Sequence, residues 1–427
     1  RGATDEALVL RAPQAYLERW LPAAGGLLQE PMFAGAAARA EQARTYSPGS
    51  LRPETARALY GAELHFSSSR IDVLAGCRFA HFLQYGLRAQ EREPAEFDSR
   101  FYGTFVHDVL EHVVQQTERE GGFAAVPRSR VQELAQERME QNAQTLLETF
   151  PDSGRTGYLL RRTFDEVTQV VDELYDELSV SAFRPKFCEL EFSARGALPG
   201  VAFAGERCRG VVEGFVDRVD VWQSGGRPYV RVVDYKTGKK SFDYTNVLHG
   251  RGLQMLLYLF ALVRQGGHLL HGEPLPAGVL YFPARIERVS VRDRLAQAEI
   301  EKERRKQLRR SGVLLNSDPV LEAMEPCGGS PRFLPYALDK EGRKTGDLAS
   351  FAQLAQLERF VFRTVAALGD ELADGRIDPD PCIRDAKDSA CAFCPYSEVC
   401  AGHEQPRWLK KITAEEFWQT LERREHG

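Results

Sequence analysis

Two apolar runs dominate the middle of the chain. One carries Gly214-Phe215-Val216-Asp217 and the next carries Val232-Val233-Asp234-Tyr235-Lys236. Between them lies Gln223-Ser224-Gly225-Gly226-Arg227-Pro228, a turn-rich stretch that reads as a hairpin loop. Two antiparallel neighbours are therefore expected, at about 208–222 and 229–236. Asp234 and Lys236 are two apart and share a face of their strand. Pairing of the strands brings Asp217 into the same cluster. Two carboxylates can hold a hard divalent cation such as magnesium. An ammonium beside them can orient water and stabilise negative charge on a phosphate. Asp-x-Lys by itself is common, and most such pairs are solvated strand ends.

Two further segments belong with this pair. Phe101-Tyr102-Gly103-Thr104-Phe105-Val106-His107 opens a helix-periodic run with Val106, Val109, Leu110 and Val113 on one face. Leu253-Gln254-Met255-Leu256-Leu257-Tyr258 places Gln254 and Tyr258 four apart on one helix face. Both interrupt an apolar segment that continues to Val263, so their polar groups need partners.

The order His107, Asp217, Asp234-x-Lys236, Gln254-x-x-x-Tyr258 resembles the RecB-type branch of the PD-(D/E)XK nucleases. The likeness extends over Gly210-Val211-Val212-Glu213-Gly214-Phe215-Val216-Asp217-Arg218-Val219-Asp220. It implies an α/β restriction-endonuclease-like core with a mixed sheet and helical cover. It also implies magnesium or manganese on His107, Asp217 and Asp234, with the backbone carbonyl of Tyr235 contributing. Lys236 is then expected to assist the attacking water, and Gln254 and Tyr258 to support the site and contact DNA. Asp220 matches a structural position.

Cysteine forms a second constellation. Three of the eight cysteines lie in Cys391-Ala-Phe-Cys394-Pro-Tyr-Ser-Glu-Val-Cys400, and Cys-x-x-Cys is a metal-ligand spacing. The length of the chain and the scatter of its other cysteines argue against a disulfide framework. Cys188, Cys208 and Cys327 read as incidental thiols. The candidates for a fourth ligand are Cys77, Cys382 and His403, and four thiolates suit zinc or an iron–sulfur cluster equally. Ser67-Ser68-Ser69-Arg70-Ile71-Asp72-Val73-Leu74-Ala75-Gly76-Cys77-Arg78-Phe79 resembles the opening of the iron–sulfur nucleases of the same branch, with Arg78 where Pro is usual and Asp72 where Glu is usual. That resemblance implies a 4Fe–4S cluster on Cys77, Cys391, Cys394 and Cys400. With ligands so far apart in sequence, the cluster is expected to act as a staple.

The net charge of −5 does not announce a nucleic-acid binder. Lys302–Arg310, however, forms a basic helical stretch, either a solvated face or a phosphate-binding surface. Apolar content of 43% is ordinary for a soluble protein, and no apolar run approaches the length of a membrane span.

Residues 1–62, with helical signals at Pro13–Leu21 and Ala34–Ala43, resemble the linker and tail of a helicase-like region that precedes the nuclease domain in AddB-type subunits of AddAB helicase–nucleases. The nuclease domain is then expected at 63–410 and a last helix within 411–427. The likeness implies a cytoplasmic exonuclease on single-stranded DNA, cutting the strand that ends 5′, with an AddA-type helicase–nuclease partner. A stand-alone or CRISPR-adaptation nuclease of the same branch is the nearer alternative, and a non-cleaving DNA-end-binding scaffold the further one. Helices are expected at Ser67–Gly86 and at about 101–120, 128–150, 157–181, 245–265 and 350–374. A strand is expected at 187–193 and another at 278–283, with Asn316–Arg343 loop-like.

Overall fold

A computed structural model describes residues 49–89, 99–149, 154–238, 241–286, 297–400 and 406–426. They fall into two compact units. The larger takes in 62–72, 92–370 and 411–427, and the smaller 1–61, 73–91 and 371–410. The short helices expected near the start of the chain, and His403, lie outside the described residues.

The larger unit is an α/β structure around one mixed eight-stranded sheet. Its strands are β1 (Leu64–Ser67), β2 (Arg184–Phe192), β3 (Val201–Ala204), β4 (Arg209–Ser224), β5 (Arg227–Lys236), β6 (Leu275–Pro283), β7 (Ser311–Leu315) and β8 (Leu348–Ala349). The path runs β1-β4-β5-β6-β7-β8, with β2 and β3 also paired to β4. The long strand β4 serves two sets of neighbours. Its first residues pair with β1 in parallel and β3 antiparallel, and from Gly214 onward it pairs antiparallel with β2 and then β5. β4 and β5 meet at Gly225-Gly226, whose φ angles of 59° and 75° are those of a two-residue hairpin turn that only glycine adopts freely.

Helices α1 (Ser99–Arg119), α2 (Arg128–Thr149) and α3 (Gly154–Leu178) precede β2. Val106, Val109, Leu110 and Val113 of α1 are fully buried, as their spacing predicts. Helix α4 (Gln254–Gln265) is apolar all round and is buried from Met255 to Leu262 against β5 and β6. Helices α5 (Gln297–Leu308), α6 (Phe351–Ala373) and α7 (Ala414–His426) complete the cover. No helix among the described residues is long and apolar enough to cross a membrane.

A charged network fills the interior between the sheet and α3. The fully buried Asp220 receives Arg218 through both carboxylate oxygens at 2.8 and 3.1 Å and Arg231 at 2.6 Å. Arg231 also reaches Glu177 at 3.2 Å, and Arg310 meets the other Glu177 oxygen at 2.7 Å. Charges buried this deeply persist only when paired on every side. This network corrects one expectation. Arg310 is 2% exposed and committed to Glu177 and Glu173, so it takes no part in a phosphate-binding surface. The region expected to be loop-like also contains a helix, Asp318–Met324, and a strand, Tyr336–Leu338.

The single helix expected over Ser67–Gly86 is broken. Ser67 ends β1 and its hydroxyl accepts the Arg70 amide at 3.2 Å, starting a helix over Ser68–Gly76. Cys77 is extended, with φ −163° and ψ 121°, and a new helical turn begins at Arg78. In the smaller unit, Phe79, Leu83 and Tyr396 form a core against which Cys77, Cys394 and Cys400 pack. Arg78 is buried. Its amide donates to Asp380 at 3.2 Å, its Nε donates to Glu371 at 2.8 Å, and its guanidinium also pairs with Asp380. Proline at this position would lack both that amide and that charge.

Candidate active site

Strands β4 and β5 pair from Ser224–Arg227 back to Arg218–Val233, and there the ladder ends. Beyond that point the backbone of Tyr235 finds side-chain partners instead. Its amide donates to Asp217 Oδ2 at 2.7 Å. Its carbonyl lies 2.9 Å from Nε2 of His107 on α1. If Nε2 carries the proton given to that carbonyl, Nδ1 keeps its lone pair, and Nδ1 faces Asp217 Oδ2 at 3.5 Å. Burial holds the His107 imidazole below its ordinary pKa, outweighing the pull of Asp234. The ring is therefore a neutral donor.

The carboxylates crowd one another. Burial first, and then the neighbouring Asp234, push the Asp217 carboxyl well above its ordinary range. Asp234 pairs with the Lys236 ammonium, yet its buried Oδ2 lacks a well-formed hydrogen bond. A protein rarely buries two carboxylates side by side without a cation for them, so the donor set fits a divalent metal.

Glu189 of β2 joins this group, although no sequence pattern singles it out. Cys188 pairs with Arg218 and Leu190 with Val216, which sets Glu189 opposite Asp217. Ligand atoms of His107, Glu189 and Asp217 lie within 4.8 Å of one another. The Glu189 backbone is left-handed, with φ 48°. That conformation is uncommon for a residue with a side chain and tends to occur at functional sites. Burial raises its carboxyl, and Glu111 and Asp234 add to the effect. Glu111 stands one turn after His107 on α1.

Gln254 opens α4 and is half-buried. Tyr258 is 2% exposed, stacks on Phe192 at 5.0 Å, and its hydroxyl donates to the Glu213 carbonyl at 3.4 Å. It braces β4 from beneath, just before the bend at Gly214. Its burial leaves no surface for a DNA contact, which corrects that part of the expectation. Lys236 keeps its ammonium at the site and 5.7 Å from the Tyr281 ring centre.

The thiols of Cys77, Cys391, Cys394 and Cys400 lie in the smaller unit around the Phe79–Leu83–Tyr396 core. Burial, Asp380 and Cys391 push the Cys77 thiol up to about 11. Burial also raises Cys391, and Cys394 and Cys400 add to it. Thiols that resist ionising because of one another fit a shared electrophilic centre, which supplies the missing positive charge. Cys382 is buried and its thiol donates to the Ala75 carbonyl at 3.3 Å. Cys208 does the same to Ala366, and Cys327 to Gly329. Cys188 is pushed up to about 12 by burial.

The profile of the PD-(D/E)XK nuclease superfamily matches residues 65–401, most of the chain and every residue of the site. The chain belongs to that superfamily. It is also similar to proteins named as the B-type component of an ATP-dependent helicase/deoxyribonuclease. With that of Moorella thermoacetica it shares 34% identity over 82% of its own length and 31% of the relative's. With that of Thermoanaerobacter sp. strain X514 the values are 30%, 86% and 33%, and with that of Oceanobacillus iheyensis 28%, 83% and 31%. The chain thus spans about a third of the length of these curated relatives.

Proposed function

We propose that this chain is a metal-dependent deoxyribonuclease that hydrolyses phosphodiesters of single-stranded DNA as the nuclease part of a helicase–nuclease. The observation that carries this reading is the meeting of His107, Glu189, Asp217, Asp234 and Lys236 where β4 and β5 part. His107, Glu189, Asp217 and Asp234 would hold magnesium or manganese, which when bound supplies Lewis acidity to a phosphate oxygen and lowers the pKa of an attacking water. Lys236 is placed to orient that water and to stabilise the charge that builds on the phosphate. The neutral His107, fixed by the Tyr235 carbonyl, keeps its free nitrogen towards the carboxylates. Tyr258 and the Tyr235 amide hold the two strand ends in register.

Cys77, Cys391, Cys394 and Cys400 would hold a 4Fe–4S cluster whose role is structural. The names of the relatives support a helicase partner, and the likeness to AddB-type proteins supports an AddA-type one, cytoplasmic action on DNA ends and cleavage of the strand ending 5′. Residues 1–62 then serve as the tail and linker of a preceding helicase-like region. Matched labelled oligonucleotides with magnesium or manganese provide the test. Single strands should be degraded, with rates falling steeply as salt rises, and blunt duplex should stay largely uncut. Faster cleavage of intact duplex would contradict the proposal and favour a stand-alone nuclease.

A further inference from the structure

Phe215 is 50% exposed although it sits in β4, an internal strand paired with β2 at that position. A large aromatic there would ordinarily be covered by a helix or another ring. Among the described residues Phe215 makes no ring contact, while its neighbours Gly214 and Val216 are half-buried and buried. Phe215 and Asp217 are two apart on a strand, so their side chains project from the same face about 7 Å apart. Across from them on β2 stand Glu191 and Glu189. The face next to the metal ligands thus offers one open ring among carboxylates. Carboxylates repel phosphate but leave an uncharged base free to approach, and every base has a π-face.

We propose that Phe215 is a base-stacking platform. It would hold the base of a nucleotide flanking the scissile phosphate while that phosphate is held at Asp217, Asp234 and Lys236. The inference rests on the nuclease reading and adds the residue that seats the single strand. It also accounts for a preference for unpaired DNA through geometry, since a base engaged in a duplex has no face free for Phe215.

The test uses the full chain, magnesium and a short single-stranded DNA, with Phe215→Ala, Phe215→Leu and Phe215→Trp, and a second DNA lacking one base beside the cleavage position. Loss of a single base stack corresponds to about a 5- to 100-fold change. Phe215→Ala and Phe215→Leu should raise KM by that factor with kcat little changed, and Phe215→Trp should keep the wild-type KM. The base-lacking DNA should cost wild type a similar factor and cost Phe215→Ala nothing further. Wild-type KM in both Ala and Leu variants, or equal penalties from the missing base in wild type and Phe215→Ala, would overturn the platform while leaving the nuclease intact. Absence of magnesium-dependent cleavage by wild type would instead overturn the nuclease reading beneath it.

Discussion

Gly214 shows how single residues set the site. Its φ of 152° lies where side chains are rarely found, and a Cβ there would come within 2.2 Å of the Tyr258 hydroxyl. Tyr258 is buried and cannot swing aside. The glycine lets β4 change partners one pleat before Asp217. Gly214→Ala should therefore cost about 1–3 kcal/mol in urea unfolding. Adding Tyr258→Phe should recover the part due to the clash, and a Gly214→Ala protein as stable as wild type would refute this role for the glycine. Asp217, Asp234 and Lys236 were legible in the sequence because a strand repeats every two residues and the Gly-Gly turn fixes which residues meet. Glu189 was not. Its place opposite Asp217 depends on the register of β2 on β4, and no local pattern encodes a pairing between segments so far apart.

At the scale of elements, long periodic segments read correctly and short ones did not. Helices α1, α3 and α6 and strands β4 and β5 carry repeats long enough to show. β1, β3 and β7 have only four or five residues each, and the serines after β1 looked like caps for a helix that Cys77 interrupts. Lys302–Arg310 looked uniformly basic, but its last residue turns inward because Glu177 and Glu173 of α3 await it. That network gives α3 a pH signature. Burial alone would raise the Glu177 carboxyl, but Arg310, Arg231 and Arg218 outweigh it and lower it from 4.5 to about 2. A carboxyl lowered in the fold stabilises fully above pH 4.5 and loses that contribution as pH falls towards 2. Glu177→Gln should be markedly less stable than wild type at pH 7, by about 3–5 kcal/mol as for other broken buried pairs. The gap should narrow between pH 4.5 and 2. A gap that stays constant across that window would show that the network does not hold Glu177 ionised.

On the scale of the whole molecule, the cysteines tie together what the sequence separates. Segments 73–91 and 371–410 share the smaller unit, and the four candidate ligands all lie in it. A centre that joins segments so distant restrains the unfolded chain strongly. Cys394→Ser should lower both iron content and melting temperature in protein purified without oxygen. Cys382→Ser should leave iron unchanged, because that thiol is committed to the Ala75 carbonyl. Equal iron loss in the Cys382 variant would make it a ligand and remove Cys77 from the set.

The central claim is that the chain cleaves DNA through the residues gathered where β4 and β5 part. It is tested most directly by the rate of magnesium-dependent cleavage of a labelled single strand by wild type, Asp217→Ala and Lys236→Ala, each checked for native melting. Both groups act on charge that develops in the reaction, so each variant should lose about a hundredfold or more in rate, and a chelator should silence wild type. Wild-type rates in both folded variants would contradict the claim.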